Sequence, residues 1–198
     1  MAYVIAKKPT PKLSYLPKSG CLKTGRRVVL DYFRSSDETE VHEILVYVVN
    51  EEGDSYPYFD MSDIGDFRNY YLSHDVFVCR DATTHEVLAA FYVKPNFPGR
   101  SSHICNTGFI VKKIQRGTGI GSFLVPEFLQ IARDLGYRAS FFNLVYASNA
   151  SSIALWRKFG FKEIGVVPQA GYFEGTGYID ALQFYYDLTT VPKTTPDK

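Results

Sequence analysis

The stretch Arg116-Gly117-Thr118-Gly119-Ile120-Gly121 follows an apolar run, Thr107 to Val111, and precedes a segment, Leu124 to Leu135, with apolar residues at helical spacing. This order predicts a strand, a glycine-rich turn and a helix. Glycines let the backbone approach a ligand closely. The first turn of the helix offers unpaired N–H groups and the positive end of its dipole. The stretch therefore predicts a phosphate-binding turn, with Arg116 as a forked cationic donor.

Two familiar phosphate-binding patterns do not fit this turn. A nucleotide P-loop needs Lys followed by Ser or Thr after its last glycine, whereas Ser122-Phe123 follow here. A dinucleotide fingerprint reads G-x-G-x-x-G and has an acidic residue about 20 positions later. This chain reads G-x-G-x-G, and the next predicted strand, Ala139 to Ala147, contains no acid. On the glycines alone, an ordinary tight turn remains the alternative.

A second segment, Asn149 to Phe161, follows that strand and predicts a short capped helix. Asn149 is a good N-cap, and Gly160 stands where a helix stops. Asn149-Ala150-Ser151 also fits a glycosylation sequon, but without a secretory signal we interpret Asn149 as the helix cap.

The ordered pair R-x-x-G-x-G and N-x-x-S-x-x-L-[aromatic]-x-K-x-G-F resembles the two signature segments of the GCN5-related N-acetyltransferases (GNAT). A narrower resemblance, from about Tyr56 to Thr189, is to the fungal L-azetidine-2-carboxylate N-acetyltransferases, which detoxify proline analogues. The segments that carry it are Phe91 to Asn96, Ser102 to Phe109, Phe142 to Val145 and Val167 to Gly171.

The resemblance implies an α/β (α+β) fold: a single GNAT-like domain with a mixed, mostly antiparallel central sheet and helices on both faces. It implies acetyl-CoA as co-substrate, no metal, and a small amino acid as acceptor, such as the proline analogue L-azetidine-2-carboxylate. Two alternatives stay open: a protein or polyamine N-acetyltransferase, and a non-catalytic acetyl-CoA-binding protein.

The same resemblance assigns cofactor contacts to three groups of residues. They are the strand edge Phe109, Ile110 and Val111; the turn Arg116, Gly117, Thr118, Gly119, Ile120, Gly121 and Ser122; and Asn149 with Ser152. Trp156 stands where many members carry a tyrosine general acid, and an indole cannot donate a proton as a phenol does. We predict a packing role for Trp156, with Tyr146, Tyr172 and Asn149 as candidate substitutes.

Asn106 and Asn143 are the predicted catalytic and substrate-binding residues, and His103 is a further substrate-binding candidate. Both amides stand among apolar neighbours, where an unpaired amide costs about 1–3 kcal/mol. Bonds to nearby backbone are the alternative. No carboxylate stands in these segments to act as a base. Cys105 is predicted to be a buried apolar residue, because no base accompanies it.

Composition narrows the class of protein. The 198 residues suit one domain, and 45% hydrophobic with 16% aromatic residues indicates a globular chain. A net charge of +1 and the lack of a long apolar run give no sign of nucleic-acid or membrane binding. Three cysteines and no signal peptide predict a cytoplasmic protein, with the nucleus as alternative. The 15 tyrosines and 15 phenylalanines leave a homodimer open.

The chain divides into an irregular arm at 1–24, the acetyltransferase domain at 25–190 and a disordered tail at 191–198. Within the domain, a bulge is expected at Gly108 and a kink or loosened first turn at Pro126, which lacks an N–H. A loop containing Gly171, Gly175 and Gly177 is expected between the last two strands. The first predicted helix is capped at Ser36 or Asp37 and ends near Glu52; the others span 62–72, 124–135 and the segment between the cap Asn149 and the stop Gly160. The predicted strands span 27–33, 75–79, 87–93, 104–111, 139–147, 161–167 and 179–186.

Overall fold

Eight strands form one open sheet in the order β1-β2-β3-β4-β5-β6-β8-β7 in the computed structural model, which describes residues 5–194. Neighbouring strands are antiparallel, except that β5 and β6 are parallel. The strands are β1 (Lys18–Cys21), β2 (Arg27–Tyr32), β3 (Asp75–Asp81), β4 (Val87–Pro95), β5 (Ile104–Val111), β6 (Ala139–Tyr146), β7 (Lys162–Phe173) and β8 (Gly177–Asp187).

Helices cover both faces of this sheet, so the predicted fold class is confirmed. Successive side chains of a strand point to opposite faces. Phe77 on β3 packs with α3 and α4, whereas the next residue, Val78, packs with α1 and α2. The helices are α1 (Glu38–Val46), extended by a π-helical segment (Tyr47–Glu52), α2 (Ile64–Tyr70), α3 (Ile120–Asp134) and α4 (Ala150–Lys158).

The glycine turn and α3 form as the sequence predicts. Gly119 adopts a left-handed conformation with φ of 95° and is the N-cap of α3. The Phe123 N–H donates to the Gly119 carbonyl at 3.0 Å, which closes the first turn. Pro126 lies further along the helix, so the first turn is not loosened there.

Both ends of the chain carry more structure than predicted. Within the expected irregular arm, β1 pairs with β2, and Gly20 lies against the ring of Phe123. In the expected tail, the Thr194 N–H donates to Asp134 on α3 at 3.0 Å. Residues 1–4 and 195–198 lie outside the described residues.

The last two strands are longer than predicted. The expected glycine loop is largely a β-hairpin, in which β7 continues to Phe173 and β8 begins at Gly177. A Cβ at Gly171 would lie 2.6 Å from the ring of Tyr146, so this glycine allows β7 to cross close to that ring. The glycine therefore marks a close approach within a strand.

Gly108 likewise serves close packing, and the predicted bulge there is wrong. The register between β4 and β5 stays constant through this residue. A Cβ at Gly108 would lie 2.6 Å from the Tyr56 hydroxyl and 2.6 Å from the Tyr92 ring. Only a residue without a side chain leaves room for both tyrosines.

We therefore expect Gly108→Ala to destabilise the protein by about 1–3 kcal/mol, because two buried rings must move. Gly165→Ala is the matched control: its Cβ would meet only the end of the Gln183 side chain, which can move aside. The control should stay within about 0.5 kcal/mol of the parent. Urea denaturation of the three proteins compares them, and equal stability of Gly108→Ala and the control would contradict this account of Gly108.

Candidate active site between strands β5 and β6

The parallel strands β5 and β6 separate after a short contact. They pair only at Ile104 with Ala139 and at Cys105 with Ser140 in the described part of the chain. Beyond this point β6 carries one extra residue relative to β8, between Phe142 and Val145. Such a bulge bends a strand, so β6 turns away from β5. A cavity of about 350 Å³ fills the gap.

The separation leaves backbone donors of β5 facing the gap. The Asn96 N–H bonds to the Ile104 carbonyl at 2.8 Å, which fixes one hydrogen-bonded pair of the β4–β5 ladder. Such pairs alternate along an antiparallel ladder, so even-numbered residues of β5 bond to β4 and odd-numbered ones face the gap. The Thr107 N–H is taken by the side-chain oxygen of Asn106 at 2.7 Å. The N–H groups of Phe109 and Val111 therefore point into the opening.

Of the three strand-edge residues predicted to contact a cofactor, Ile110 is the one whose N–H does not face the gap. By the same alternation its N–H bonds to β4. Its side chain is 1% exposed and packs with the α1 and α2 cluster. The structure therefore removes Ile110 from the set of available donors.

Three asparagines meet at the narrow end of the gap. Asn106 and Asn143 both line the cavity, and a third residue, Asn96, joins them. Asn96 and Asn143 exchange two hydrogen bonds, at 2.8 and 2.7 Å, and the Asn106 amide lies 3.5 Å from the Asn96 oxygen. The structure thus brings the two predicted residues together and orients their amides through Asn96, which sequence reasoning missed.

Tyrosines form the wall of the cavity on the α1 and α2 face. Tyr56, Tyr58, Tyr70 and Tyr92 line it. Burial raises the pKa of each of these phenols. The Tyr56 hydroxyl donates to the Phe109 carbonyl at 3.3 Å, at the strand edge that faces the gap. The tyrosine wall is therefore uncharged and lies against the free backbone donors.

A carboxylate also reaches the cavity, although the sequence motifs contain none. Asp54 lines it, and its Oδ1 accepts a hydrogen bond from Ser55 at 2.8 Å. The loop that carries it begins at Gly53, where a left-handed residue ends the π-helical segment. The Asn149 amide donates to Ser55 at 2.9 Å and holds this loop against α4. In the sequence, the helix stop at Gly53 and the polar and aromatic residues after it were the only sign that this loop contributes to the site.

Asn149 and Ser152 occupy the other side of the cavity, at the start of α4. The Ser152 N–H donates to the Asn149 side chain at 3.0 Å, so the predicted N-cap is confirmed. Trp156, one helical turn further on, is 6% exposed, with ring centroids of Phe142 and Phe109 at 4.5 and 5.4 Å. These contacts support the predicted packing role, although one part of the indole also borders the cavity.

Of the phenols that were considered in place of Trp156, only Tyr146 is close. It lines the cavity and is 4% exposed, and burial raises its pKa. Tyr172 is 58% exposed and does not line the cavity. Cys105 is fully buried, and burial raises the pKa of its thiol to about 12, which agrees with an inert apolar residue.

Two cations lie near the start of α3: Arg116 on the glycine turn and Lys158 on α4. The N–H groups of Ile120, Gly121 and Ser122 belong to the first turn, where intrahelical acceptors are lacking. Lys158 on α4 donates to the Ser122 hydroxyl at 3.0 Å. Thr118 instead turns back to the Gln115 carbonyl at 2.6 Å. The turn therefore offers a cationic site for an anion, to which α4 contributes.

Arg116 already has an anionic partner within the chain. Its two terminal nitrogens donate to the two carboxylate oxygens of Glu52 at 2.5 and 2.6 Å. Both side chains are partly exposed. Glu52 thus occupies the forked donor set that the sequence predicts for phosphate, and the sequence gives no signal of this pairing.

His103 lies outside the site. Its ring is exposed, its Nδ1 is 3.1 Å from the Arg100 carbonyl, and it borders a different cavity, beside His74 and Tyr137. The structure therefore does not bring His103 together with Asn106 and Asn143. His103 precedes the short β5–β6 contact, whereas the gap opens after it.

Two further features bear on the class of protein. Within residues 5–194 there is no group of three or more His, Cys, Asp or Glu side chains that could hold a metal ion. Over the same residues, every helix is too short or too polar to cross a membrane.

Comparison with known proteins agrees with this architecture. The profile of the Acetyltransferase (GNAT) family matches residues 34–161. The N-acetyltransferase aca1 of Schizosaccharomyces pombe is 44% identical over 106 residues, which cover 53% of this chain. The match covers 51% of aca1, so the chain spans about half the length of that relative.

Solved structures share the fold. A GCN5-related N-acetyltransferase from Kribbella flavida superposes with a TM-score of 0.75 and 26% identity, covering 81% of this chain and 97% of that chain. A phosphinothricin acetyltransferase from Sinorhizobium meliloti, solved in complex with AcCoA, has a TM-score of 0.72 and 21% identity, covering 84% and 93%.

Proposed function

This chain belongs to the Acetyltransferase (GNAT) family, and we propose that it transfers an acetyl group from acetyl-CoA to the amine of a small amino acid. A proline analogue such as L-azetidine-2-carboxylate is the proposed acceptor. The observation that carries the proposal is the gap between β5 and β6. It borders α4 on one face of the sheet and the tyrosine wall on the other, so two reactants can meet inside it.

The cofactor would lie on the α3 and α4 side. The first turn of α3, with Lys158 beside it, suits the diphosphate of CoA because it combines free N–H groups with a cation. Arg116 would add a second cation by exchanging Glu52 for the diphosphate. The pantetheine arm would follow the gap past Asn149 and Ser152. The N–H groups of Phe109 and Val111 would then receive the arm and polarise the thioester carbonyl.

The reaction forms an amide bond and breaks a thioester bond. The acceptor nitrogen attacks the acetyl carbon, its proton passes to a base, and the carbon–sulfur bond breaks as the CoA thiolate leaves and gains a proton. Asp54 is the only carboxylate that lines the cavity among the described residues, so we assign it as the base, directly or through a water. Tyr146 would protonate the thiolate, since it lines the cavity and its phenol is protonated at neutral pH.

A small acceptor fits this cavity better than a protein does. A volume of about 350 Å³ holds an amino acid, and its walls are tyrosines and amides. The amide cluster around Asn106 and Asn143 can donate hydrogen bonds to a carboxylate, while the tyrosine faces can pack against a small ring. A polyamine would instead require several acidic groups, and Asp54 is the single one in the cavity wall that the structure describes.

We expect the purified chain to release CoA from acetyl-CoA when azetidine-2-carboxylate or a related cyclic imino acid is added. Chromatography should quantify the CoA, because the exposed Cys21 would react with a thiol reagent. Spermidine and a short peptide serve as alternative acceptors. Release with either of these alone would favour the polyamine or protein alternative, and acetyl-CoA binding without turnover on any amine would favour a non-catalytic binder.

Asp54→Asn is expected to lower kcat/KM for the imino acid by about 100-fold or more, because it removes the base. The dissociation constant of acetyl-CoA should stay unchanged. Asp66→Asn, at an exposed residue in the first turn of α2, is the matched control and should resemble the parent. Steady-state rates with calorimetric cofactor titration measure both quantities, and full activity of Asp54→Asn would exclude this base.

Glu52→Gln is expected to tighten CoA binding by about two- to fivefold, the range for a partly exposed ion pair. The substitution frees Arg116 and removes a negative charge near the diphosphate. Glu51→Gln changes a neighbouring exposed carboxylate and serves as control. The gain should shrink at high salt; unchanged or weaker CoA binding in Glu52→Gln would show that Arg116 does not receive the diphosphate.

A further inference from the structure

Lys94 on β4 is a buried lysine without an acidic partner. Its side chain is among the largest that are fully buried, and the residue is 1% exposed. The ammonium donates to the Tyr70 carbonyl at 2.9 Å and lies 3.9 and 4.0 Å from the ring centroids of Tyr70 and Tyr92. None of the ion pairs formed within residues 5–194 includes it.

Such a position is costly for a lysine. Removing a charge from water disfavours the charged form unless an opposite charge compensates it. Two aromatic faces and one carbonyl supply partial compensation. Burial accordingly lowers the pKa of Lys94 to about 7. Methionine could fill a similar volume without this cost. Packing alone therefore does not explain why an amine stands at this position.

The surroundings of Lys94 connect it to the acceptor end of the cavity. The two rings that enclose its ammonium, Tyr70 and Tyr92, both line the cavity, and their hydroxyls are 3.1 Å apart. Lys94 is also the cross-strand partner of Asn106, so both side chains lie on the same face of the sheet. The positive charge therefore stands behind the tyrosine wall and beside the amide cluster.

We propose that Lys94 is a specificity-determining residue that favours acceptors bearing a carboxylate. Its charge, shielded from water by Tyr70 and Tyr92, makes the potential at the Asn106 end of the cavity positive. The amides there have no charge of their own, so they orient the carboxylate while Lys94 attracts it. Lys94 acts through the wall, without touching the substrate. This inference rests on the proposed transfer to an amino acid.

The test compares two acceptors, azetidine-2-carboxylate and azetidine-2-carboxamide, in the parent chain and in Lys94→Met, at a pH below about 7, where Lys94 carries its charge. The parent should prefer the carboxylate. In Lys94→Met, the ratio of the two kcat/KM values should fall by about tenfold, which corresponds to about 1.4 kcal/mol. The carboxamide rate should change by less than about twofold, because a carboxamide has no negative charge for Lys94 to attract. A merely structural role would lower both rates together and leave the ratio unchanged, which would overturn the proposal.

Lys162→Met is the matched control. Lys162 lies exposed on β7, outside the cavity wall, so its loss should leave the ratio as in the parent. Thermal unfolding of all three proteins checks that they are folded. A failure of the parent to acetylate any cyclic amino acid would refute the proposed function instead, and an unchanged ratio in an active, folded Lys94→Met would refute only the role of Lys94.

A measurement on the unmodified chain covers the case in which Lys94→Met does not fold. Tetrahydrofuran-2-carboxylate and its carboxamide have no amine, and calorimetry gives their dissociation constants from pH 6 to 8.5. Lys94 loses its charge as the pH rises through about 7, so carboxylate binding should weaken about tenfold while carboxamide binding stays constant. Equal pH profiles for the two analogues would overturn the proposal.

The ionisable groups around Lys94 keep their charge between pH 7 and 8.5, so they do not obscure the pH test. Tyr70 and Tyr92 have pKa values raised by burial and stay neutral over the range. His74 has a pKa lowered by burial and by Lys94, so it is neutral above pH 7. Beyond it, Asp75 is paired with Lys7 at 3.0 Å. Lys94 is therefore the group in this set whose charge changes as the pH rises from 7 to 8.5.

Discussion

The proposed chemistry depends on the short pairing between β5 and β6. Two parallel strands that paired along their full length would bury every backbone donor between them and leave no cavity. Here the pairing ends after Cys105 and Ser140, and an extra residue in β6 bends that strand away. The gap exposes the N–H groups of Phe109 and Val111 and connects the two faces of the sheet. Asp54, Asn106, Asn143 and the tyrosine wall all line it.

The walls of the gap differ in a way that suits two different reactants. On the α4 side, Asn149, Ser152 and Trp156 line the gap, and the adjoining start of α3 with Lys158 provides positive charge for a diphosphate. On the α1 and α2 side, uncharged tyrosines surround a small space that contains one carboxylate, Asp54, and an amide cluster. Lys94 adds a buried positive charge behind that wall. An α-amino acid carries both a carboxylate and an amine, so this arrangement matches its charges better than those of a polyamine.

The sequence predicted those parts of the structure that depend on local patterns. The turn at Gly119, the helix α3 and the cap at Asn149 follow from glycine conformation, helical spacing and a short side-chain hydrogen bond, and all three are observed. Asn106 and Asn143 were found because an amide among apolar neighbours needs a partner. That partner proved to be Asn96, which only the folded sheet brings between them.

The features that the sequence did not predict depend on packing between segments that are distant along the chain. Gly108 and Gly171 permit close approach of tyrosine rings from other segments. The expected bulge at Gly108 is regular strand, and much of the expected loop is strand with a register shift between Val167 and Gly171. Asp54 lies on the loop after Gly53, Glu52 ends the π-helical segment, and His103 precedes the β5–β6 contact. None of these placements follows from spacing along the chain, because each depends on contacts between segments that are distant in sequence.

A crystal structure of the chain with bound acetyl-CoA would show where the cofactor lies. We expect the pantetheine arm between β5 and β6, with the thioester oxygen about 3 Å from the N–H of Phe109 or Val111. The acetyl group would then face Asn106 and the tyrosine wall. A cofactor bound outside the gap, or a β6 strand that closes onto β5 when acetyl-CoA binds, would contradict this expectation.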